Sequence, residues 1–274
     1  MPELPEVEFA RGCLSRWLEG KVMQVAEADA TRLLRGSPAP FETLHSKRLM
    51  KVDRHGKWLL ARFTEDVTLA IHLGMTGKLA RADRGEEVRH SRARLGASTG
   101  PIVHLRDPRQ FGRLLAGRSD AVERAAGIDA LGPDAWNSPP TIDAVLATFA
   151  HRRTPIKAVL MDQAVLAGLG NIQATESLFI AGIHPETPAS AIRAEDASRL
   201  VPAIHETLSR TLSSMAGDIV TYVEEGGENP FLIYGRDGEP CPRCGTTLES
   251  LRLAGRGTVL CPHCQKRSRA AERR

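Results

Sequence analysis

The stretch CPRCGTTLESLRLAGRGTVLCPHC (residues 241–264) contains two Cys-x2-Cys pairs with sixteen residues between them. Pro242 and Gly245 suit a first tight turn, and Pro262 suits a second. The residues between the pairs alternate as two short strands around a turn at 254–257, which predicts a hairpin. Four thiolates at the ends of two turns are typical of tetrahedral zinc, with an iron–sulfur site and a redox pair as alternatives. We therefore predict one structural Zn²⁺ held by Cys241, Cys244, Cys261 and Cys264.

The rest of the composition is that of an ordinary globular chain. Of its 274 residues, 42% are hydrophobic and 26% charged, which is typical of a folded protein of more than one domain. Cys13 makes the cysteine count odd, which argues against a disulfide framework. No run of residues is apolar enough to cross a membrane, and residues 1–12 lack the pattern of a secretory signal. We expect a cytoplasmic protein.

Positive charge is clustered along the chain. The net charge is only +4, but residues 81–118 hold nine arginines against four acids, and residues 252–274 hold seven basic residues against one acid. Such clusters are typical of surfaces that bind the phosphates of nucleic acid. The alternative is a solvated basic face followed by a disordered tail.

The patterning changes near the middle of the chain. Residues 5–19 indicate a helix, and residues 21–118 indicate six to eight short strands in a sandwich-like domain. Residues 132–140 are rich in Pro, Asp and Asn and are typical of a linker. Helical periodicity then extends to about Met215, and a loop at 217–230 leads to the cysteine-rich end. The candidate helices cover residues 144–149, 155–163, 171–181 and 194–215.

An apolar turn with two glycines precedes the third of these helices. Gly168 and Gly170 allow unusual backbone angles, and we expect Asn171 to be the N-cap of the helix. The free N–H groups at the start of that helix then face an anion such as a phosphate. Ordinary packing between two helices is the alternative for this turn.

Taken together, the motifs of this chain resemble those of the formamidopyrimidine-DNA glycosylase family, which includes the endonuclease VIII relatives. They occur in the family's order over essentially the whole chain. The matching stretches are MPELPEVE (1–8), DRHGK (53–57), HLGMTG (72–77), DPRQFG (107–112), GLGNI (168–172), GIHP (182–185), YGR (234–236) and the cysteine hairpin.

The resemblance implies an α+β multidomain fold. Its parts are an N-terminal catalytic domain with a helix and a β-sandwich (1–131), a linker (132–140), a helix–two-turns–helix DNA-binding domain (141–230) and a zinc-finger hairpin (231–274). The partner implied is double-stranded damaged DNA, and we expect a monomer, without membrane association, in a bacterial-type cytoplasm where DNA binding keeps it at the nucleoid.

The resemblance also implies the catalytic residues. Pro2 becomes N-terminal once Met1 is removed, and its secondary amine attacks C1′ of the target nucleotide. Glu3 transfers protons as a general acid, and Glu6 helps to position the sugar and the protons. Lys57 reaches the DNA phosphate beside the lesion. The implied activity is that of a bifunctional DNA glycosylase and abasic-site lyase.

Further residues are implied to bind the DNA. An enzyme that acts on a base inside a duplex flips the base out and fills the space left behind. The void-filling residues are Met75, Arg109 and Phe111. The phosphate contacts are His72, Lys157, Asn171 and Arg256.

Some positions depart from the family pattern and affect the expected lesion. Gln173 stands where many members have Tyr, Gln110 replaces an Arg, and the 217–230 loop is short and rich in Glu and Gly. The leading hypothesis is excision of oxidised or ring-opened purines, formamidopyrimidine and 8-oxoguanine, followed by β/δ-elimination. The alternatives are an endonuclease VIII-like enzyme for oxidised pyrimidines and a non-catalytic zinc-dependent protein that binds damaged DNA.

Overall fold

The computed structural model of the chain describes residues 2–29, 32–215 and 229–267. Within these residues, contacts divide the chain into two compact units. The first contains the chain up to Ala130 together with Met215, and the second contains residues 131–214 and 229–267. None of the helices in the described part combines the length and the apolar character needed to cross a lipid bilayer.

The first unit begins with helix α1 (Leu4–Leu18), one residue earlier than predicted. Pro5 suits the first turn because its missing N–H is not needed there. The Oε2 atom of Glu6 accepts a hydrogen bond of 2.8 Å from the backbone N–H of Glu3, which satisfies one of the free donors at the helix start. Gly20 ends the segment with a φ of 79°.

Eight strands follow α1, as the pattern predicts, and form two antiparallel sheets with the orders β1-β6-β7-β5 and β2-β3-β4-β8. Apolar side chains from both sheets and from α1 form one continuous buried core, which confirms the sandwich. The strands are β1 (Val25–Ala28), β2 (Leu49–His55), β3 (Trp58–Phe63), β4 (Val67–His72), β5 (Lys78–Ala82), β6 (Ser91–Gly96), β7 (Ile102–Arg106) and β8 (Arg113–Arg118).

A short helix, α2 (Ser119–Ala126), closes the first unit and was not predicted. Its apolar pattern is weak because Val122 is its only buried residue. Gly127 ends the helix with a φ of 71°, and a glycine in this conformation is a common signal of a helix end.

The described part of the second unit contains four α-helices in the predicted order. The third helix is confirmed at both ends, and the fourth ends two residues early. They are α3 (Ile142–Phe149), α4 (Ile156–Leu160), α5 (Asn171–Ala181) and α6 (Ala194–Ser213).

Helix α4 is shorter than the predicted 155–163, and Gln163 explains where it stops. The side-chain amide of Gln163 donates to the carbonyls of Met161 (2.9 Å) and Leu169 (2.8 Å), and its Oε1 accepts from the N–H of Gly168 (3.0 Å). These three bonds close the turn between α4 and α5. Gln163 therefore stabilises the turn between α4 and α5 and does not continue the helix.

Residues 132–140 contain no helix or strand, but they are not a free connection. Asp134 is buried and pairs in parallel with Ala167, and the N–H of Ala167 donates to the carbonyl of Pro133 at 2.9 Å. The carboxylate of Asp134 accepts from the N–H groups of Trp136 and Asn137. This segment is thus packed against the turn between α4 and α5.

The cysteine-rich region forms the predicted hairpin, with strands β9 (Glu249–Leu253) and β10 (Arg256–Leu260). Ala254 and Gly255 form its two-residue turn with φ values of 49° and 75°, which suits the right-handed twist of a hairpin. The turn is tighter than the predicted 254–257, so Arg256 is the first residue of β10. The 217–230 loop, except its last two residues, lies outside the described residues, as do Met1 and residues 268–274 of the basic tail.

Candidate active site and metal centre

The start of α1 brings three of the predicted catalytic residues together. Pro2 is buried, and Glu3 and Glu6 are 1% and 7% exposed. The Glu6 carboxylate is held close by the backbone N–H of Glu3. Two carboxyl groups thus occupy a largely dry environment directly beside the residue predicted to be the nucleophile.

Burial and the neighbouring Glu3 carboxylate raise the pKa of Glu6 from 4.5 to about 7. The backbone N–H groups of Glu3 and Glu6 act in the opposite direction, because they stabilise the ionised carboxylate. A carboxyl group with a pKa near the working pH can both release and accept a proton. Glu6 therefore has the properties of a proton shuttle.

Lys57 lies in the tight turn between β2 and β3 and is half-buried. Gly56 precedes it with a φ of 56°. The guanidinium of Arg54, which is buried, donates to the carbonyl of Gly56 at 2.9 Å and to the carboxylate of Glu8 on α1 at 2.8 Å. Arg54 and Glu8 therefore connect the Lys57 turn to the catalytic helix. Neither was predicted as a site residue, although both lie in the motifs that carry the resemblance.

His72 lies at the end of β4, opposite Trp58, and its ring packs edge-on against that indole with centroids 5.0 Å apart. Burial, the charge of Lys57 and that of Arg113 lower the pKa of His72 to about 4. Its Nδ1 accepts the N–H of Gly74 at 3.0 Å. His72 is therefore neutral at pH 7 and carries its proton on Nε2 as a hydrogen-bond donor.

Met75 and Phe111 are exposed apolar side chains on two adjoining loops. They are 41% and 44% exposed, and Met50 is the only other large hydrophobic residue in the described ranges that is as accessible. The guanidinium of Arg109 lies 4.7 Å from the centre of the Phe111 ring, within the range of a cation–π interaction. The three predicted void-filling residues thus form one exposed group, and an exposed apolar group is a mark of a binding surface.

The metal centre has the geometry expected for zinc. The four cysteine sulfurs lie within 4.8 Å of one another, and three of the sulfur–sulfur distances are between 3.5 and 4.0 Å. Tetrahedral bonds of about 2.3 Å place sulfurs roughly 3.8 Å apart. The N–H groups of Arg243 and Cys264 each point to a cysteine sulfur at 3.4 Å. The four cysteines fit one structural Zn²⁺ with no open coordination position.

The hairpin is docked on α5 by charge and by apolar packing. The guanidinium of Arg243 donates to the carbonyls of Phe179 (2.9 Å) and Ile180 (3.0 Å) near the end of that helix, where the last carbonyls have no i+4 partner within the helix. Phe179 is buried in one cluster with Ile233, Val259 and two of the cysteines. The metal therefore stabilises an element that is part of the helical unit.

Lys157 does not have the exposure that a direct phosphate contact requires. It is completely buried, and its ammonium donates to the Asn171 Oδ1 (2.7 Å), the Thr258 Oγ1 (2.6 Å) and the Gly257 carbonyl (3.4 Å). Three acceptors satisfy its three donors. The expectation of a phosphate contact is therefore corrected: in this structure Lys157 connects α4 to α5 and to the hairpin.

Asn171 is also placed differently from the prediction. Gly170 is the N-cap of α5, and Asn171 is its first helical residue. The side chain does not cap the helix because its oxygen accepts from Lys157, while its Nδ2 donates to the carbonyl of Gly257 at 3.1 Å. Asn171 remains half-buried, next to the hairpin residue that follows Arg256. Arg256 itself is exposed.

Gln173, where many members of the family have Tyr, is fully buried. Its side-chain amide donates to the Thr211 hydroxyl of α6 at 3.1 Å. This residue therefore joins α5 to the end of α6, only a few residues before the 217–230 loop.

Comparison with known proteins identifies the family of these domains. Three family models match: the formamidopyrimidine-DNA glycosylase N-terminal domain at residues 1–114, its H2TH domain at 131–222, and the zinc finger found in FPG and IleRS at 238–267. The formamidopyrimidine-DNA glycosylases of Pelotomaculum thermopropionicum and Chloroflexus aurantiacus are 36% and 37% identical. In each case the match covers 97% of this chain and at least 98% of the relative.

Solved structures show the same similarity. The MutM (Fpg) protein of Thermus thermophilus superposes with a TM-score of 0.84 at 33% identity, over 97% of this chain and all of that one. The Lactococcus lactis Fpg, solved with DNA that contains an abasic site, gives 0.85 at 30% identity with the same coverage. The sequence identity, the matched domains and the four-cysteine centre show that this chain belongs to the formamidopyrimidine-DNA glycosylase family.

Proposed function

We propose that this DNA glycosylase excises oxidised or ring-opened purines from duplex DNA and cleaves the resulting abasic site through a Schiff base at Pro2. Its relatives bear the name of this activity, and Lactococcus lactis Fpg has been solved with DNA containing N7-benzyl-Fapy-dG. The observation that carries the proposal is the buried pair of Glu3 and Glu6 beside Pro2. Two buried carboxyl groups next to an amine are suited to acid–base chemistry. A protein that only binds DNA does not need them.

The chemistry starts from the neutral Pro2 amine, which is N-terminal once Met1 is removed. An α-amino group titrates near ~8, so a useful fraction is neutral at working pH. The nitrogen forms a bond to C1′ as the bond from C1′ to the base breaks, and the departing base takes up the proton that the nitrogen loses. Glu3 supplies the proton that opening of the sugar ring at its oxygen requires. The product is an iminium ion.

The iminium then makes the hydrogens on C2′ acidic. Loss of one of them breaks the C3′–O bond, and a second elimination breaks the C5′–O bond. Glu6, with its pKa near 7, is suited to carry these protons away from the reacting carbons. Hydrolysis of the final iminium ion releases Pro2 for the next cycle.

Lys57 and His72 are proposed to hold the phosphates beside the lesion. Lys57 brings a positive charge, whereas the neutral His72 offers an N–H donor from Nε2. A neutral donor adds little to the dependence of binding on salt, because it releases no counterion. The two residues therefore combine electrostatic attraction with a directed hydrogen bond.

Met75, Arg109 and Phe111 are proposed to fill the space left by the flipped nucleotide. The apolar side chains replace the stacking of the lost base, and the arginine can hydrogen-bond the base left without a partner. In the second unit, Asn171 and Arg256 remain the proposed phosphate contacts. Since the substrate is chromosomal DNA, we also propose a cytoplasmic location at the nucleoid.

The experiment is borohydride trapping on a duplex with one abasic site. Reduction of the iminium joins the protein covalently to the DNA, and peptide mapping should locate the link at the N-terminal proline. A form that retains Met1 should bind the duplex without being trapped. Lys57→Arg is the matched control, since it removes the rival amine but keeps the charge.

Two results would contradict this mechanism. One is trapping at the wild-type rate by the form that retains Met1. The other is complete loss of trapping in Lys57→Arg while Pro2 is free. A panel of duplexes, each with a single defined lesion, then tests the substrate class: preferential release of oxidised pyrimidines would show an endonuclease VIII-like specificity, against the proposal for purines.

A further inference from the structure

The loops that carry Met75 and Phe111 share one buried carboxylate. We define the Met75 loop as residues 73–77 and the Phe111 loop as residues 107–112. Asp107 is completely buried at the start of the second loop. Its Oδ1 accepts a hydrogen bond of 2.6 Å from the hydroxyl of Thr76, and its Oδ2 accepts one of 2.8 Å from the N–H of Gly112. One side chain therefore joins both loops.

The backbone of Asp107 is also held by two hydrogen bonds. Its backbone N–H donates to the carbonyl of His90 at 3.0 Å, and its own carbonyl accepts from Arg92 Nε at 3.1 Å. His90 directly precedes β6 and Arg92 is the second residue of that strand, which belongs to the sheet that does not contain β4. The carboxylate is thus a fixed point to which the two loops attach.

The backbones of the two loops are also in close contact. Gly74 has a φ of 64°, and a Cβ atom at this position would lie 2.4 Å from the carbonyl carbon of Phe111. Only glycine allows the backbones to come this close. The distance between Met75 and Phe111 is therefore set by backbone contact as well as by the Asp107 bonds.

We propose that Asp107, acting through Thr76, is a positioning residue that presents Met75 and Phe111 as one preformed wedge. The inference rests on the proposed function, because it assigns these residues to void filling. A preformed wedge avoids the entropy cost of ordering two separate loops when the DNA is bound. Loss of the Thr76 bond should leave Phe111 held by the bond from Gly112 to Asp107, but it should weaken the coupling of Phe111 to Met75.

The test compares Thr76→Val with Thr76→Ser. Valine has the shape of threonine without the hydroxyl, and serine keeps the hydroxyl. The probe is a duplex in which a tetrahydrofuran abasic analogue faces 2-aminopurine, whose fluorescence changes when the opposite space is filled. We expect the fluorescence change to be about tenfold slower in Thr76→Val, since a hydrogen bond to a charged group is lost. Thr76→Ser should resemble the wild type.

A second measurement separates the wedge from the chemistry. A single-stranded abasic oligonucleotide has no opposite base and needs no wedge, so its borohydride trapping should be unchanged in Thr76→Val. Asp107→Asn is the second variant: the amide can accept from Gly112 and donate to Thr76, so it should retain most of the fluorescence change.

The outcomes are distinguishable. If Thr76→Val fills the space at the wild-type rate, or slows single-stranded trapping as much as the duplex reaction, the positioning role of Asp107 is wrong. If the wild-type protein neither fills the space nor is trapped, the proposed function itself fails.

Discussion

Replacement of Glu6 by Gln tests the unusual proton affinity at the start of α1. Glutamine keeps the shape of the side chain and an oxygen that can accept the N–H of Glu3, but it cannot ionise. The gap between an ordinary pKa of 4.5 and a folded-state pKa of about 7 corresponds to roughly 3 kcal/mol of stability. The wild-type protein carries this cost only when Glu6 is ionised.

The sign of the effect follows from proton binding. Between pH 4.5 and 7 the folded state of the wild type binds the Glu6 proton and the unfolded state has lost it. Stability therefore falls as the pH rises through this range. At pH 4 the protonated wild type and Glu6→Gln should be about equally stable, whereas at pH 8 the variant should be more stable by about 3 kcal/mol.

The assay is urea unfolding at a series of pH values, read by tryptophan fluorescence. Trp17 and Trp58 lie in the first unit and Trp136 in the second, so both proteins carry Trp136→Phe to report on the first unit alone. Titrating groups that do not interact with Glu6 are shared by the two proteins and cancel in the comparison. Parallel pH profiles for the two proteins would show that Glu6 has an ordinary pKa, and the proton-shuttle role would lose its support.

The remaining predictions concern the second unit. Removal of zinc, or a Ser at any one of Cys241, Cys244, Cys261 and Cys264, should unfold the hairpin and abolish DNA binding; metal analysis that finds iron or no metal contradicts this. Arg256→Ala should weaken binding to all damaged duplexes equally. It should also reduce the salt slope, which is the slope of the logarithm of the binding constant against the logarithm of salt concentration, by about one. Arg252→Ala, which removes the same charge from β9, should weaken binding less. Lys157→Met should lower the stability of the second unit by about 2 kcal/mol, seen through Trp136, with the salt slope unchanged; a slope reduced by about one would restore the direct phosphate contact.

The sequence predicted those features that depend on local patterns. The spacing of the cysteines identified the metal ligands. The apolar periodicity predicted both ends of α5 correctly. The strands of the sandwich were predictable as a group because each is short, apolar and bounded by turn residues. These features depend on residues that are close together in the sequence, so the sequence alone is enough to predict them.

The errors arose where a distant partner decides the outcome. Lys157 resembles a surface lysine in its own helix, but its acceptors at Gly257 and Thr258 lie a hundred residues further on. Asn171 has the chemistry of an N-cap, yet the Lys157 ammonium and the hairpin engage its side chain instead. Asp107 and Thr76 were visible in the family motifs, but only the structure brings the carboxylate to the hydroxyl.

These contacts change the expected consequence of losing the metal. Zinc fixes the hairpin, the hairpin offers the carbonyl of Gly257 to Asn171, and Lys157 joins both to α4. Removing the metal should therefore release Asn171 at the start of α5 as well as Arg256 on β10. Two changes that act on one connected element are not additive. Loss of zinc and Lys157→Met should accordingly cost less together than the sum of their separate effects on the stability of the second unit. Full additivity would mean that Lys157 stabilises the helices independently of the hairpin.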